Sequence, residues 1–190
     1  MFFPALTSLC TWMALMHSFP ELIGRCVSFT LNQLETTRKS VSAELQTSGT
    51  MTLVKQTQMI RLHKAVMAVG IFSMFEAILQ DHLNCENGFS AVKSILKETS
   101  DAVLLQRFED YQCAINVLKH GKGRSYDYLV SRHGQLEFKI KKPTEKFFYE
   151  GDVSEVSALV DADDAFIIGC AQVIEGVASV LKRERPTAFI

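Results

Sequence analysis

The stretch AVMAVGIFSMFEAIL at positions 65–79 most constrains how this chain can fold, because as a helix it would be apolar on nearly every side. Only Ser73 and Glu76 interrupt it, and a helix that is apolar all round is buried from several sides. It belongs to a predicted helix from about Met51 to Leu83, which we expect to be the central helix of a bundle. Its apolar part is shorter than the roughly 20 residues of a membrane span. Glu76 should then meet a cation or a backbone donor at the core's edge, since an unpaired buried carboxylate is costly.

Apolar residues at a three-and-four spacing predict further helices on both sides of this one. These helices are predicted after Pro20 as far as the break around Gly49, over FSAVKSILKE, from Ser100 or Asp101 to about Lys119, over SYDYLVSR, and from VSEVSALVDADD to the KRER end. Alternation of Leu136, Phe138 and Ile140 with charged residues predicts a small β-hairpin at 136–149. We therefore expect a mostly α fold in which residues 1–190 form a single domain, a bundle of long antiparallel helices.

The first 19 residues are apolar, carry no Lys or Arg, and are interrupted by Pro4 and His17. The missing cations argue against a signal peptide and against the alternative of a peripheral membrane anchor. We expect residues 1–19 to form a helix that packs on the bundle or on a second subunit.

The five cysteines include no Cys-x-x-Cys pair. Their spacing therefore predicts neither a zinc site nor a disulfide framework, and it is typical of a cytoplasmic protein.

Acidic residues and histidines are the candidate metal ligands. Asp161, Asp163 and Asp164 form an acidic run without the spacing of a calcium-binding loop, so we expect them to start a helix and lie at the surface. His63 and His82 are too far apart along one helix to be a ligand pair. We therefore predict neither a metal nor a cofactor.

The segment AINVLKHGKGRSY at positions 114–126 is the most informative stretch for function. At about 100° per residue, Asn116 and His120 fall on one face of the helix with Glu109, opposite a core stripe that includes Ile115. The simple interpretation is that Gly121 ends this helix and that cations favour its negative end. That interpretation leaves unexplained why Asn116 and His120 share an accessible face near the cations Lys119, Lys122 and Arg124. The loop also lacks the Gly-Lys-Ser/Thr ending of a nucleotide P-loop.

A helix that ends in NVLKHG (116–121), preceded by a central helix that contains SMFEAIL (73–79), resembles the HEPN superfamily. The members of this superfamily are helical bundles and include metal-independent ribonucleases of toxin, defence and RNA-processing systems. In those enzymes an arginine, often followed by a polar residue, precedes a histidine by four to six positions, and two copies usually form one shared cleft. On this resemblance Asn116 matches the polar residue and His120 matches the histidine, so these two would be the catalytic residues. Ile115 stands where the arginine belongs, so the motif is degenerate.

The resemblance implies a homodimeric module that binds RNA or a nucleotide through Lys119, Lys122 and Arg124. If the chain is an enzyme, it would be a metal-independent endoribonuclease in which His120 transfers a proton. Dimerisation would use the apolar N-terminal helix or the motif-bearing helix. The main alternative is a non-catalytic structural or regulatory protein that binds a partner such as an antitoxin. A small-ligand pocket beside Glu76 is a third hypothesis, and no membrane association is expected.

Overall fold

The computed structural model describes residues 18–145 and 159–186, and these residues form six helices. The helices are α1 (Phe19–Leu45), α2 (Met51–Leu83), α3 (Gly88–Glu98), α4 (Ala102–His120), α5 (Arg124–Ser131) and α6 (Asp164–Glu184). The prediction of a mostly α fold is therefore confirmed. The predicted helix at 1–19 lies almost wholly outside the described residues.

Short polar side chains fix where several helices begin. Asp101 starts α4 by accepting a hydrogen bond from the backbone N–H of Leu104 at 3.1 Å, and Asp163 starts α6 by accepting one from Phe166 at 2.8 Å. Each bond satisfies a backbone donor that has no partner within the helix. The acidic run thus starts the last helix, as predicted. The last helix begins at Asp164, the final residue of VSEVSALVDADD, so Leu159 is buried but precedes α6 instead of belonging to it.

The predicted β-hairpin at 136–149 is not supported. Ile140 forms an isolated antiparallel bridge with Val160, held by hydrogen bonds from the Lys141 N–H to the Leu159 carbonyl at 2.9 Å and from the Asp161 N–H to the Lys139 carbonyl at 3.0 Å. Residues 146–149, the predicted return strand, lie outside the described residues. The alternation identified an extended segment with one buried face, but alternation does not specify which segment pairs with it.

Helix α2 is central, because it contacts α1, α3, α4 and α6. Its inward side buries Phe72, Phe75 and Leu79 completely or nearly so. The prediction that α2 is buried from several sides holds on the sides that meet these four helices, but the outer side of α2 is open to solvent. The large apolar side chains exposed there are Met59 (65%), Leu62 (51%), Val66 (62%) and Met74 (58%). Glu76 is half-buried, but the cation or backbone donor predicted for its carboxylate is not seen among the described residues.

Two described helices, α2 and α6, are long and apolar enough to cross a membrane, each with a mean hydropathy of 1.6 over the best window. The short length of the apolar part at 65–79 therefore does not exclude that α2 as a whole could cross a membrane. Within the bundle, 33% of the α2 window and 50% of the α6 window are buried. Core helices of soluble proteins have the same properties, so length and composition are weak evidence for a membrane location.

An aromatic cluster joins α4, the extended segment and α6. The ring centroids of Tyr111, Phe138 and Phe166 lie 5.1 to 5.5 Å apart, within the range of favourable aromatic pairs. Burial raises the pKa of the Tyr111 hydroxyl above its usual range. Tyr111 also packs directly over Gly169 of α6, where a Cβ atom would overlap its hydroxyl oxygen. The close approach of α4 and α6 therefore requires glycine at position 169.

Gly169→Ala should lower the free energy of unfolding by about 1–3 kcal/mol, because the added methyl group would come within 2.6 Å of Tyr111 Cζ as well as overlapping its hydroxyl. Urea unfolding followed by circular dichroism measures this change. The matched control is Gly24→Ala in α1, where a Cβ would meet nothing within 4 Å. That control should raise stability by about 0.4–1 kcal/mol. Equal effects of the two substitutions would contradict the close packing at Gly169.

Candidate functional site

The end of α4 is set by Gly121. Its backbone has a φ of 78°, in the left-handed region that favours glycine, and its N–H donates to the Val117 carbonyl at 2.8 Å. Gly121 is buried, so the chain turns away from the helix at a position held by the fold. The predicted helix end is confirmed. It leaves His120 as the last residue of α4.

The predicted division of α4 into a core side and an accessible side is also confirmed. Ile115 is only 3% exposed, whereas His120 and Lys119 are exposed and Asn116 is half-buried. Asn116 and His120 lie one turn apart, a spacing that places Cβ atoms about 5–6 Å from each other. Lys122 and Arg124 of the following loop and helix are exposed as well. These side chains therefore lie close together in the chain and are open to a ligand.

A buried polar cluster fastens α5 to α4. Asp110 is 7% exposed and accepts hydrogen bonds from Arg132 at 3.1 and 3.3 Å, from the Tyr128 hydroxyl at 3.2 Å and from Gln106 at 3.1 Å. Gln106 also donates to the Tyr128 hydroxyl at 2.7 Å. Burial raises the pKa of that hydroxyl. Because the cluster orients α5, it also positions Arg124, the first residue of α5, beside the end of α4.

The polar face of α4 contains Glu109, Cys113, Asn116 and His120, which follow one another at helical spacing. Burial raises the pKa of the Cys113 thiol, while a hydrogen bond with Ser125 of α5 and the positive charge of Lys93 of α3 oppose that rise. Side chains of α3 and α5 therefore flank this face. Cys113, Ser125 and Lys93 were not predicted as site residues, and no local sequence pattern brings them together.

The acidic residues have structural roles. Asp164 forms an ion pair with Lys64 of α2, and Asp163 caps α6. Among the described residues, no group of three His, Cys, Asp or Glu side chains could hold a metal ion. The polar face thus offers a histidine, an amide and nearby cations. These groups suit proton transfer and phosphate contact.

A cavity of about 540 Å³ lies beside the extended segment, with His133, Glu137 and Lys142 among its lining residues. None of the predicted site residues lines it. The cavity therefore adds nothing to the polar face of α4.

Comparison of the chain with protein-family models, with curated proteins and with solved structures gives no match. The resemblance to the HEPN superfamily consequently depends on the quoted residues alone.

Arg132→Met should lower the free energy of unfolding, since it leaves the buried Asp110 carboxylate without its cation. The double variant Asp110→Leu with Arg132→Met should lose less than this single variant, because removing both charges leaves neither one unpaired. Urea unfolding of the two variants and the wild type measures the difference. A double variant that loses as much stability as Arg132→Met, or more, would show that the two charges do not depend on each other.

Proposed function

We propose that this chain is a cytoplasmic HEPN-like module that binds RNA or a nucleotide at the end of α4, in a degenerate form of a metal-independent ribonuclease site. One observation carries the proposal: His120 is exposed together with Lys119, Lys122 and Arg124 at a helix end fixed by Gly121. The mostly helical bundle agrees with the resemblance at the level of fold class.

The cations would supply affinity. Lys and Arg side chains that contact phosphates release bound counterions, which makes such binding strong at low salt even for a protein whose net charge is −1. Arg124 can also donate two parallel hydrogen bonds to one phosphate. Local clustering of charge therefore supports phosphate binding where the overall charge does not.

Any cleavage would use the histidine. In a metal-independent reaction the 2′-hydroxyl loses its proton to a base, the 2′-oxygen bonds to phosphorus, and the 5′-oxygen leaves with a proton from an acid. His120 would act as that acid or base, and the Asn116 amide beside it would orient a phosphate or ribose oxygen. Ile115 provides no charge for the transition state. The arrangement therefore supports binding more strongly than rapid catalysis.

A second candidate function is a non-catalytic structural or regulatory protein that binds another protein, for example an antitoxin. The specific observation in its favour is the exposed apolar outer side of α2, because extensive exposed apolar surface marks interaction sites. In that case the cations at the end of α4 would lie at a solvated helix terminus or at the edge of the surface that binds the partner protein. The homodimer that the HEPN resemblance implies fits either function.

His120→Ala should abolish any cleavage of labelled single-stranded or structured RNA by the purified protein in EDTA, because the only proposed proton-transfer group would be lost. The matched control is His63→Ala, which removes another exposed histidine, on α2. RNA that the wild type binds without cleaving would assign the site to binding alone, and cleavage that persists in His120→Ala would remove His120 from the reaction. If the wild type neither binds nor cleaves RNA, the function proposed here is wrong and protein binding takes its place.

Arg124→Ala should weaken RNA binding and should reduce the slope of log affinity against log salt concentration by about 0.7, the contribution of one phosphate contact in a single strand. Fluorescence anisotropy over a salt series measures both quantities. Lys182→Ala, which removes an exposed cation from α6, should leave the slope unchanged. An unchanged slope for Arg124→Ala would remove Arg124 from the proposed site.

A further inference from the structure

The turn that joins α1 to α2, together with the adjoining ends of both helices, forms a basic surface, which we name the α1–α2 tip (residues 35–64). Five cations and two acids give it a net charge of +3, whereas the whole chain has a net charge of −1. The cations are Arg38, Lys39, Lys55, Arg61 and Lys64, and twelve Ser, Thr and Gln side chains lie among them. Cations, hydroxyl groups and amides are the side-chain groups that contact phosphates and sugars in nucleic-acid complexes. The composition of the tip therefore fits a surface that contacts a nucleic-acid backbone.

Ion pairs within the fold neutralise only part of this charge. Arg38 and Lys39 share the carboxylate of Glu35, at 2.6 and 3.7 Å. Lys64 pairs with Asp164 of α6. With Asp164 counted, the tip keeps a net charge of +2. Lys39 and Lys55 are exposed, so their ammonium groups are open to an anion from outside the chain.

Helices α4 and α6 run antiparallel, and two glycines fix their register. A Cβ at Gly176 would meet the Leu104 side chain at 3.1 Å, and one at Gly169 would overlap Tyr111. Leu104 and Tyr111 are seven residues apart on α4, and their partners are seven residues apart on α6 in the reverse order. The same register, continued by five residues, brings Asn116 of the proposed site level with the first residue of α6.

Helix α2 reaches this level through the ion pair between Lys64 and Asp164, which is the first residue of α6. Aromatic contacts give the direction of α2. Phe72 packs against Phe89 of α3 with ring centroids 6.1 Å apart, and Phe89 packs against Phe108 of α4 at 5.4 Å. Passing along α2 from Phe72 to Lys64 therefore leads toward the end of α4 that carries the proposed site.

The tip continues past the level of the proposed site. At 1.5 Å per residue, Lys55 lies about 13 Å beyond Lys64 along α2, and His120 lies about 6 Å beyond Asn116 along α4. Helices α2 and α4 contact each other, and the axes of packed helices lie about 8–10 Å apart. The tip therefore stands beside the end of α4 and projects past it.

We propose that the α1–α2 tip is a second contact surface for the RNA that binds at the end of α4, so that the ligand is an RNA strand of several nucleotides. Lys39 and Lys55 contact phosphates on one part of the strand, while Arg124 contacts a phosphate at the end of α4. A single nucleotide is too short to reach both surfaces. The proposal rests on the proposed function and deepens it, because it chooses between the two ligands considered there.

An anionic membrane is the main competing partner, because Met51 and Val54 are also exposed on the tip. The α1 side of the tip does not suit a bilayer: within residues 36–44, all of which the structure describes, no large apolar side chain is exposed. Binding in a membrane interface needs an apolar face that enters the bilayer. An RNA strand, in contrast, can contact the tip and the cations at the end of α4 together. RNA is therefore the better-matched partner.

The double variant Lys39→Ala with Lys55→Ala should lower the affinity for a labelled single-stranded RNA of about 16 nucleotides at least about tenfold at physiological salt. It should also reduce the slope of log affinity against log salt concentration by about 1.4, since two phosphate contacts contribute about 0.7 each. Fluorescence anisotropy over a salt series measures both quantities. Uridine monophosphate that displaces the labelled RNA as effectively as unlabelled RNA at the same concentration would overturn the choice of a strand.

The matched control is Lys97→Ala with Lys182→Ala. It removes two exposed cations at the opposite end of the bundle, near the ion pair between Arg185 and Glu98, and it has the same net charge as the tip variant. The control should bind the RNA as tightly as the wild type. An equal loss of affinity in both double variants would show that overall charge, and not the tip, determines binding. Circular dichroism checks that both variants retain the wild-type helix content.

The remaining outcomes separate this proposal from the proposed function. If Arg124→Ala weakens RNA binding and the tip variant does not, the tip is no contact surface and the function proposed for the end of α4 stands. If the wild type binds no RNA, the proposed function is wrong and the second contact surface with it. Sedimentation of the wild type with vesicles of phosphatidylserine and phosphatidylcholine, lost in the tip variant while RNA affinity is unchanged, would assign the tip to a membrane instead.

Discussion

The burial of the inward side of α2 is the interaction on which the rest of the structure depends. Phe72, Phe75 and Leu79 lie where α2 meets the other long helices, and burying each such side chain contributes about 1.5–3 kcal/mol. Helix α4 packs against this core and against α6, where Tyr111 lies over Gly169. The orientation of α4 therefore follows from the core, and the accessible side of its last turn follows from that orientation.

Local periodicity was sufficient to predict which segments are helical and which side of α4 faces the core. The positions of Ile115 and His120 follow from rotation about one helix axis, and the turn at Gly121 follows from a conformation that favours glycine. These features depend on neighbours within a few residues. Sequence alone could therefore predict them, and the structure places them as expected.

Features that join distant segments were not predictable in this way. The acidic partner of Arg132 is Asp110 on another helix, and the partner of Ile140 is Val160 rather than a residue of the predicted return strand. The one-sided burial of α2 is a similar case, because composition shows how apolar a helix is but not how many neighbours cover it. Each of these features depends on tertiary packing that the local pattern does not encode.

The packing of α4 also explains why an arginine is absent from the proposed site. Position 115 is 3% exposed and faces the core, so a guanidinium there would be buried without a partner, at a high cost in free energy. Turning the helix to expose position 115 would move Asn116 and His120 away from their accessible side. Within this bundle, a cation for a phosphate bound at the proposed site would instead come from a position other than 115. Arg124 is suited to that role because the cluster around Asp110 holds α5 against α4.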